Sequence, residues 1–175
     1  MHMELHQRGV SLIEVSVAVL IFSVGLIGMA GLMAMATRSN HAAYLRTQVT
    51  FLAGNMAERM RANPTGLWNE AYNDINYPTS ARQACSKASP CTPAQVAVRD
   101  KYEWSQLLKT ILPEASAKIR CVGKSGVGYN PSTQLGMRPP YGGNCSMSIT
   151  WAERKVVGAG NDGLPTQSLA WEFQP

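Results

Sequence analysis

Hydrophobic and polar positions follow three different rhythms along this chain. The first is an unbroken apolar run. From Val15 to Thr37 there is no charge, and the only polar side chains are Ser16, Ser23 and Thr37. At about 1.5 Å per residue a helix over that stretch covers roughly 35 Å, enough to cross a bilayer core of about 30 Å. The second rhythm takes over where the first stops. Leu45, Val49, Leu52, Met56 and Met60 step by threes and fours, the spacing of one helix face. No proline falls between Thr37 and Arg61, and the one glycine is Gly54. Both rhythms therefore predict a single helix from about Val10 to Ala62, roughly 80 Å long. Asn63-Pro64-Thr65-Gly66 ends it, since proline cannot continue a helix and biases the residue before it.

The third rhythm has period two and comes late in the chain. Ile119 and Cys121 alternate with Lys118, Arg120 and Val122. Cys145, Met147, Ile149 and Trp151 alternate with Ser146, Ser148 and Thr150. Leu169, Trp171 and Phe173 alternate with Ser168, Ala170 and Glu172. These are three strands with one apolar row each, a small antiparallel sheet that is packed on one side and wet on the other. Its packed side covers the amphipathic half of the long helix. Between helix and sheet, Leu67 to Ala84 reads as an irregular loop anchored on the helix by Trp68, Tyr72 and Tyr77. Thr92 caps a second helix with Pro93 at its first position. That helix runs to about Leu112, stops at Pro113, and has Trp104, Leu107, Leu108 and Ile111 as its apolar face. Gly123 to Asn144 is rich in Gly and Pro and reads as a solvated connector or a recognition loop. The fold class is α+β, with an apolar segment 10–37, an amphipathic segment 38–63 and a head 64–175.

Charge changes this picture little. The net charge is +5, yet Lys and Arg are scattered from Arg38 to Lys155 without a block. The closest grouping is Lys118, Arg120 and Lys124. That distribution reads as a solvated basic surface and argues against a dedicated nucleic-acid stripe. The cysteines change it more. Cys85, Cys91, Cys121 and Cys145 all lie in the polar part. An even count beyond a membrane segment points to two disulfides in an oxidising compartment. Zinc is the competing reading, weakened by the lack of CxxC and of any nearby histidine. The histidines are His2, His6 and His41. Cys85 and Cys91 are near enough to staple the loop entering the second helix. Cys121 and Cys145 fall on the inward rows of the first two strands and are paired on that ground, though sequence leaves the connectivity open.

Glu14 is the anomaly of the apolar region. A carboxylate in hydrocarbon costs about 2.5–3.5 kcal/mol on insertion scales. It snorkels at the membrane edge or it has a partner. A secretory signal does not explain the segment, because the apolar stretch is too long and no AxA-like site follows it.

Gly9-Val10-Ser11-Leu12-Ile13-Glu14 resembles the type III signal of type IV prepilins, written G-F-[ST]-L-[IL]-E. Val10 stands where phenylalanine is commonest, and Arg8 and Glu4 leave the leader weakly basic. The resemblance implies that residues 1–9 are a leader and that a prepilin peptidase cuts between Gly9 and Val10. It implies methylation of the new Val10 amine, and a Glu14 that pairs with such an amine on a neighbouring subunit. The stretch Met56 to Pro64 is similar to the helix end of the PilV group of minor pilins, the type IV pilus modification proteins. Cys91 to Gln95 and the Trp104…Leu112-Pro113 segment are similar to that group as well.

That resemblance implies a type IV pilin-like fold and a structural subunit present in low copy. It would prime assembly, sit at the tip, and support adhesion and twitching motility. The implied partners are the prepilin peptidase, other minor pilins, the major pilin, a tip adhesin, the inner-membrane assembly platform and the inner membrane itself. The head would lie in the periplasm before assembly and at the cell surface after it. No cofactor or metal is implied. A minor pseudopilin of type II secretion shares the N-terminal motif and is the nearest alternative; a DNA-uptake receptor at the tip is a third. No GxSxG, HExxH, P-loop or dinucleotide fingerprint is present, which speaks against an enzyme. Gly25, Gly28 and Gly31 lie three apart and permit close helix packing or local unwinding.

Overall fold

The computed structural model describes residues 9–123, 132–137, 140–153 and 166–175, with the side chains of Ile75 and Ser132 excepted. Residues 1–8, Lys124 and Lys155, which carry several of the sequence expectations, lie outside the described residues, as does much of Gly123–Asn144. The chain divides into two units, one running to Ala43 and one from Tyr44 to Pro175.

A single helix, α1 (Leu12–Arg61), contributes to both. Its part in the first unit is exposed on every side: Leu12, Ile27, Leu32 and Met35 are all more than two thirds exposed. Its part in the second unit has one buried stripe of Leu45, Val49, Leu52, Ala53, Met56, Ala57 and Met60. Tyr44 and Phe51 lie on the opposite side and are exposed.

The second unit continues with α2 (Pro64–Trp68), β1 (Asp74–Tyr77), α3 (Pro93–Ile111), β2 (Ser116–Val122), a 3-10 turn (Ser132–Met137), β3 (Asn144–Ala152) and β4 (Thr166–Phe173). The four strands form one antiparallel sheet in the order β1-β2-β3-β4. The architecture is α+β, a long N-terminal helix with a small antiparallel sheet.

Two readings of the sequence need correction. Leu67–Ala84 is not wholly irregular, because α2 and β1 lie at its start. The proline after Asn63 ends α1 and also opens α2. The Asn63 side chain accepts from Gly66 N at 3.1 Å and Pro64 sits in the first turn, where its missing N–H costs nothing. β1 is short, lacks alternation, and pairs with β2 through a register shift between Asp74 and Tyr77, so no period marked it. The sheet accordingly has four strands where the pattern gave three. Trp68 packs against the core cluster that includes the α1 stripe, and its ring meets Tyr141 edge-on at 4.9 Å. Tyr72 and Tyr77 are buried in the core.

Inward rows of the strands explain the core. Ala117, Ile119 and Cys121 of β2 and Cys145, Met147, Ile149 and Trp151 of β3 are buried, in one cluster with the α1 stripe and with Ala97, Trp104 and Leu108 of α3. Each fully buried Leu, Ile or Met contributes about 1.5–3 kcal/mol. Trp104 adds direction: its Nε1 donates to the Leu52 carbonyl at 2.8 Å, and Tyr77 packs edge-on against its ring at 5.2 Å. α3 starts with a capping box between Thr92 and Gln95, two orphan donors satisfied reciprocally.

Cys121 and Cys145 are directly opposite on β2 and β3 and form a disulfide, and Cys85 pairs with Cys91. All four cysteines are thereby used, which leaves no thiolate for zinc. Closing the loop from Cys121 to Cys145 contributes about 3.5 kcal/mol in the chain-entropy model, against about 2.4 for the shorter one.

A polar network joins α1, α2 and α3 at the end of the core. Asp100 of α3 is buried. It accepts from the Tyr72 hydroxyl at 2.8 Å and pairs with Arg59 of α1 at 3.3 Å. Arg59 also reaches Glu103 at 2.7 Å and Asn55 at 3.0 Å. Asn63 donates to the Pro93 carbonyl at 2.8 Å and to Tyr72 Oη at 3.1 Å. A buried charge is tolerable only with partners of this kind. Burial, then the bond to Asp100, pushes the Tyr72 hydroxyl above its ordinary 10.0. Burial, then the field of Asp74, raises Tyr77 as well.

Two outcomes follow. Met56→Ala should destabilise the full chain in detergent by about 2–5 kcal/mol, whereas Phe51→Ala on the exposed side should change it by less than about 0.5; urea unfolding followed by tryptophan fluorescence separates them. Both tyrosines bind their proton more tightly when folded, so their contribution is complete below pH 10 and is lost as pH rises through the raised folded values. Stability should therefore fall above about pH 10, and Tyr72→Phe should flatten that slope; an unchanged alkaline slope in the variant would contradict this origin.

Candidate functional site

The candidate site is the start of α1, within the first unit. Gly9 and Val10 precede the helix, exposed and without regular structure, where an enzyme can reach the bond between them. The helix begins at Leu12. The Ser11 carbonyl accepts from Glu14 N at 3.0 Å and from Val15 N at 3.3 Å. Glu14 thus lies in the first turn, where the amide ends of the helix favour negative charge.

The other polar side chains of the apolar stretch are already satisfied. Ser16 Oγ donates to the Leu12 carbonyl at 3.0 Å and Ser23 Oγ to Leu20 at 2.9 Å. Thr37 Oγ1 donates to Met33 at 2.8 Å and Ala34 at 3.0 Å. Such back-bonding hides each hydroxyl against its own helix, so these residues enter an apolar medium cheaply. Glu14 has no equivalent: among the described residues, no side chain pairs with its carboxylate. The helix from Leu12 is long and apolar enough to cross a membrane. A Cβ built at Gly25, Gly28 or Gly31 meets nothing within 4 Å. Among the described residues, nothing outside the local helix crowds those positions.

Other sequence candidates fall elsewhere. Lys118 and Arg120 share the exposed row of β2, with Ser146 and Ser148 beside them on β3. His41 lies on α1. Among the described residues, no group of His, Cys, Asp and Glu is placed to hold a metal ion. The Arg59–Asp100–Tyr72–Asn63 network was not visible to pattern reasoning. The one signal for it was a charged pair, Asp100 and Glu103, on the side of α3 that carries Trp104.

Comparison with known proteins bears on this segment and on the start of the head. Residues 5–30 match the model of the prokaryotic N-terminal methylation motif. Residues 31–102 match the family model described as Tt1218-like, type IV pilin Tt1218. Nothing among curated proteins or solved structures matches the chain. The two matches adjoin and run through α1 into α3. With the α+β fold they make the chain similar to type IV pilins over residues 31–102 and to the prepilin N-terminal methylation motif over residues 5–30. That family is structural and is not a family of enzymes. The motif and an apolar helix long enough to cross a membrane fit membrane anchoring.

Proposed function

We propose that this chain is a minor pilin of the PilV group, one that primes type IV pilus assembly and enters the pilus in low copy at the tip. Residues 1–9 are the leader, 10–37 the membrane and assembly half of the helix, 38–63 its amphipathic half and 64–175 the head. The peptidase cuts after Gly9 and methylates Val10. In the membrane the head lies on the periplasmic side, a placement supported by the two disulfides. In the pilus it contributes to adhesion and twitching motility beside a tip adhesin.

The observation that carries the assembly mechanism is the contrast along α1. Every hydroxyl from Ser16 to Thr37 is bonded within the helix, whereas the Glu14 carboxylate has no partner among the described residues. A carboxylate held in hydrocarbon without a partner is costly, and one paired with an ammonium and hydrogen-bonded is far less so. Cleavage after Gly9 creates such a cation at Val10. In the filament the partner of Glu14 is the amine of a neighbouring subunit, and Glu14 marks the register at which subunits stop sliding. The resemblance of Met56–Pro64 supports the subgroup.

Intact mass of the full chain, made with and without a prepilin peptidase, tests processing. The expected change is loss of Met1–Gly9 and gain of one methyl group, with four hydrogens missing for two disulfides. Glu14→Ala should be processed normally yet recovered from sheared pili at about a tenth of the unmodified level or less, the effect of roughly 1.4 kcal/mol. Equal recovery would remove Glu14 from the assembly mechanism.

A further inference from the structure

The two edges of the sheet are built differently. β1 is four residues long, its register with β2 is broken, and Asp74 is tied to Lys101 at 3.7 Å. Just before it, the Asn73 side chain occupies the backbone of Cys121, accepting from its N–H at 2.7 Å and donating to its carbonyl at 3.2 Å. These are the devices by which proteins close an edge to further pairing. β4 has none of them. It pairs with β3 without a register break from Thr166 to Phe173, and its sequence TQSLAWEF holds no Lys, Arg or Pro and one charge, Glu172.

β4 also leaves apolar surface uncovered. Trp171 belongs to the inward row, opposite Met147, yet it is 36% exposed where Met147 is 2%. Its ring stacks on Phe173 at 4.4 Å. Toward the other end of the strand there is an open cavity of about 220 Å³ between β4 and α1, lined by Arg46, Val49 and Thr50 and by Gln167, Leu169 and Trp151. No described carboxylate pairs with Arg46.

We propose that the outer edge of β4, unpaired among the described residues, is a strand-addition site for an extended segment of a different pilus subunit. The inference rests on the pilin reading above. An added strand lies about 4.8 Å away, and its side chains share faces with those they oppose. Its inward row meets Trp171, Leu169 and Gln167. Apolar side chains cover the indole and enter the cavity, and an inward carboxylate opposite Gln167 reaches Arg46. Its outward row meets Glu172 with a cation. A second copy of β4 does not meet this requirement, because its inward row of Gln167, Leu169, Trp171 and Phe173 has no carboxylate for Arg46. β1 of a second copy is closed as described.

The test is photo-cross-linking of the full chain in cells that carry its pilus assembly genes. Ser168→benzoylphenylalanine places the probe on β4, and Ser116→benzoylphenylalanine on β2 is the control. Peptide mapping should find the Ser168 cross-link on an extended, acidic and apolar segment of another pilus subunit, and the control should not yield it. Trp171→Lys, a charge set into the inward row at an exposed position, should lower that cross-link at least about tenfold, as expected for an interface aromatic. Two disulfides and unchanged urea unfolding show that this variant is folded; if it is not, Ser168 cross-linking in Arg46→Glu must show the same loss. A cross-link to another copy of this chain, to residues 154–165 of the same chain or to a helix overturns the proposal, as does the absence of any cross-link. Intact mass separates the two levels. A chain processed at Gly9 and present in sheared pili but silent at Ser168 sinks this inference alone. A chain that is never processed sinks the pilin reading and this inference with it.

Discussion

Everything in the head is arranged around one stripe of α1. Leu45, Val49, Leu52, Met56 and Met60 lie on a single face and are each at most 4% exposed. A helix with such a stripe must bury it, and most of the stability of a protein helix comes from that packing and not from propensity. The inward rows of β2 and β3 supply the cover, and Trp104 of α3 closes the side. Because strand side chains alternate, a slip of one residue would expose the whole row. The Cys121–Cys145 bridge lies across the two central strands where that slip would occur. The disulfide is therefore best read as a lock on register as well as a constraint on the unfolded chain.

The polar network has a complementary role. Apolar contacts are non-directional, so the stripe alone would let α1 rotate or slide against its cover. Arg59, Asn63, Tyr72 and Asp100 give the helix end a defined azimuth through bonds whose geometry tolerates little change. The cost of burying Asp100 is offset only in one arrangement. These bonds hold the last turn of α1 against the residues that lead into α2 and against α3.

Much of this was legible in the chain. Periods of 3.6 and 2 marked α1, α3 and the three longer strands, because each must present a continuous apolar row to one core. The Thr92-Pro93 start of α3 could be read because capping chemistry is local. What escaped was fixed by tertiary contacts. β1 owes its place to pairing with β2 and to the Asn73 amide, not to alternation. α2 follows from Asn63 serving two roles at once, after α1 and before α2. The polar network joins residues 41 positions apart, such as Arg59 and Asp100, and no local pattern encodes it. At the candidate site the order is reversed. Gly9, Val10 and Glu14 were found by motif, and the structure added the hydroxyl bonding that makes Glu14 stand out.

That contrast bears on why a carboxylate persists in a segment otherwise built for hydrocarbon. Had the helix needed only to anchor, Ser16, Ser23 and Thr37 show how polarity can be reconciled with lipid inside one chain. A glutamate in the first turn gains something from the helix dipole, typically 0.3–1 kcal/mol, which is less than the roughly 2.5–3.5 kcal/mol that insertion costs. Among the described residues nothing compensates the remainder. In the assembly mechanism proposed above, pairing between subunits recovers it when a neighbour presents its amine at the right height, so that the same residue disfavours the free subunit and favours the assembled one. Gly25, Gly28 and Gly31 fit the same proposal, for among the described residues nothing beyond the local helix lies within 4 Å of the positions their side chains would occupy. On the proposed mechanism, a charge and three glycines without a partner among the described residues find their reasons in neighbouring subunits.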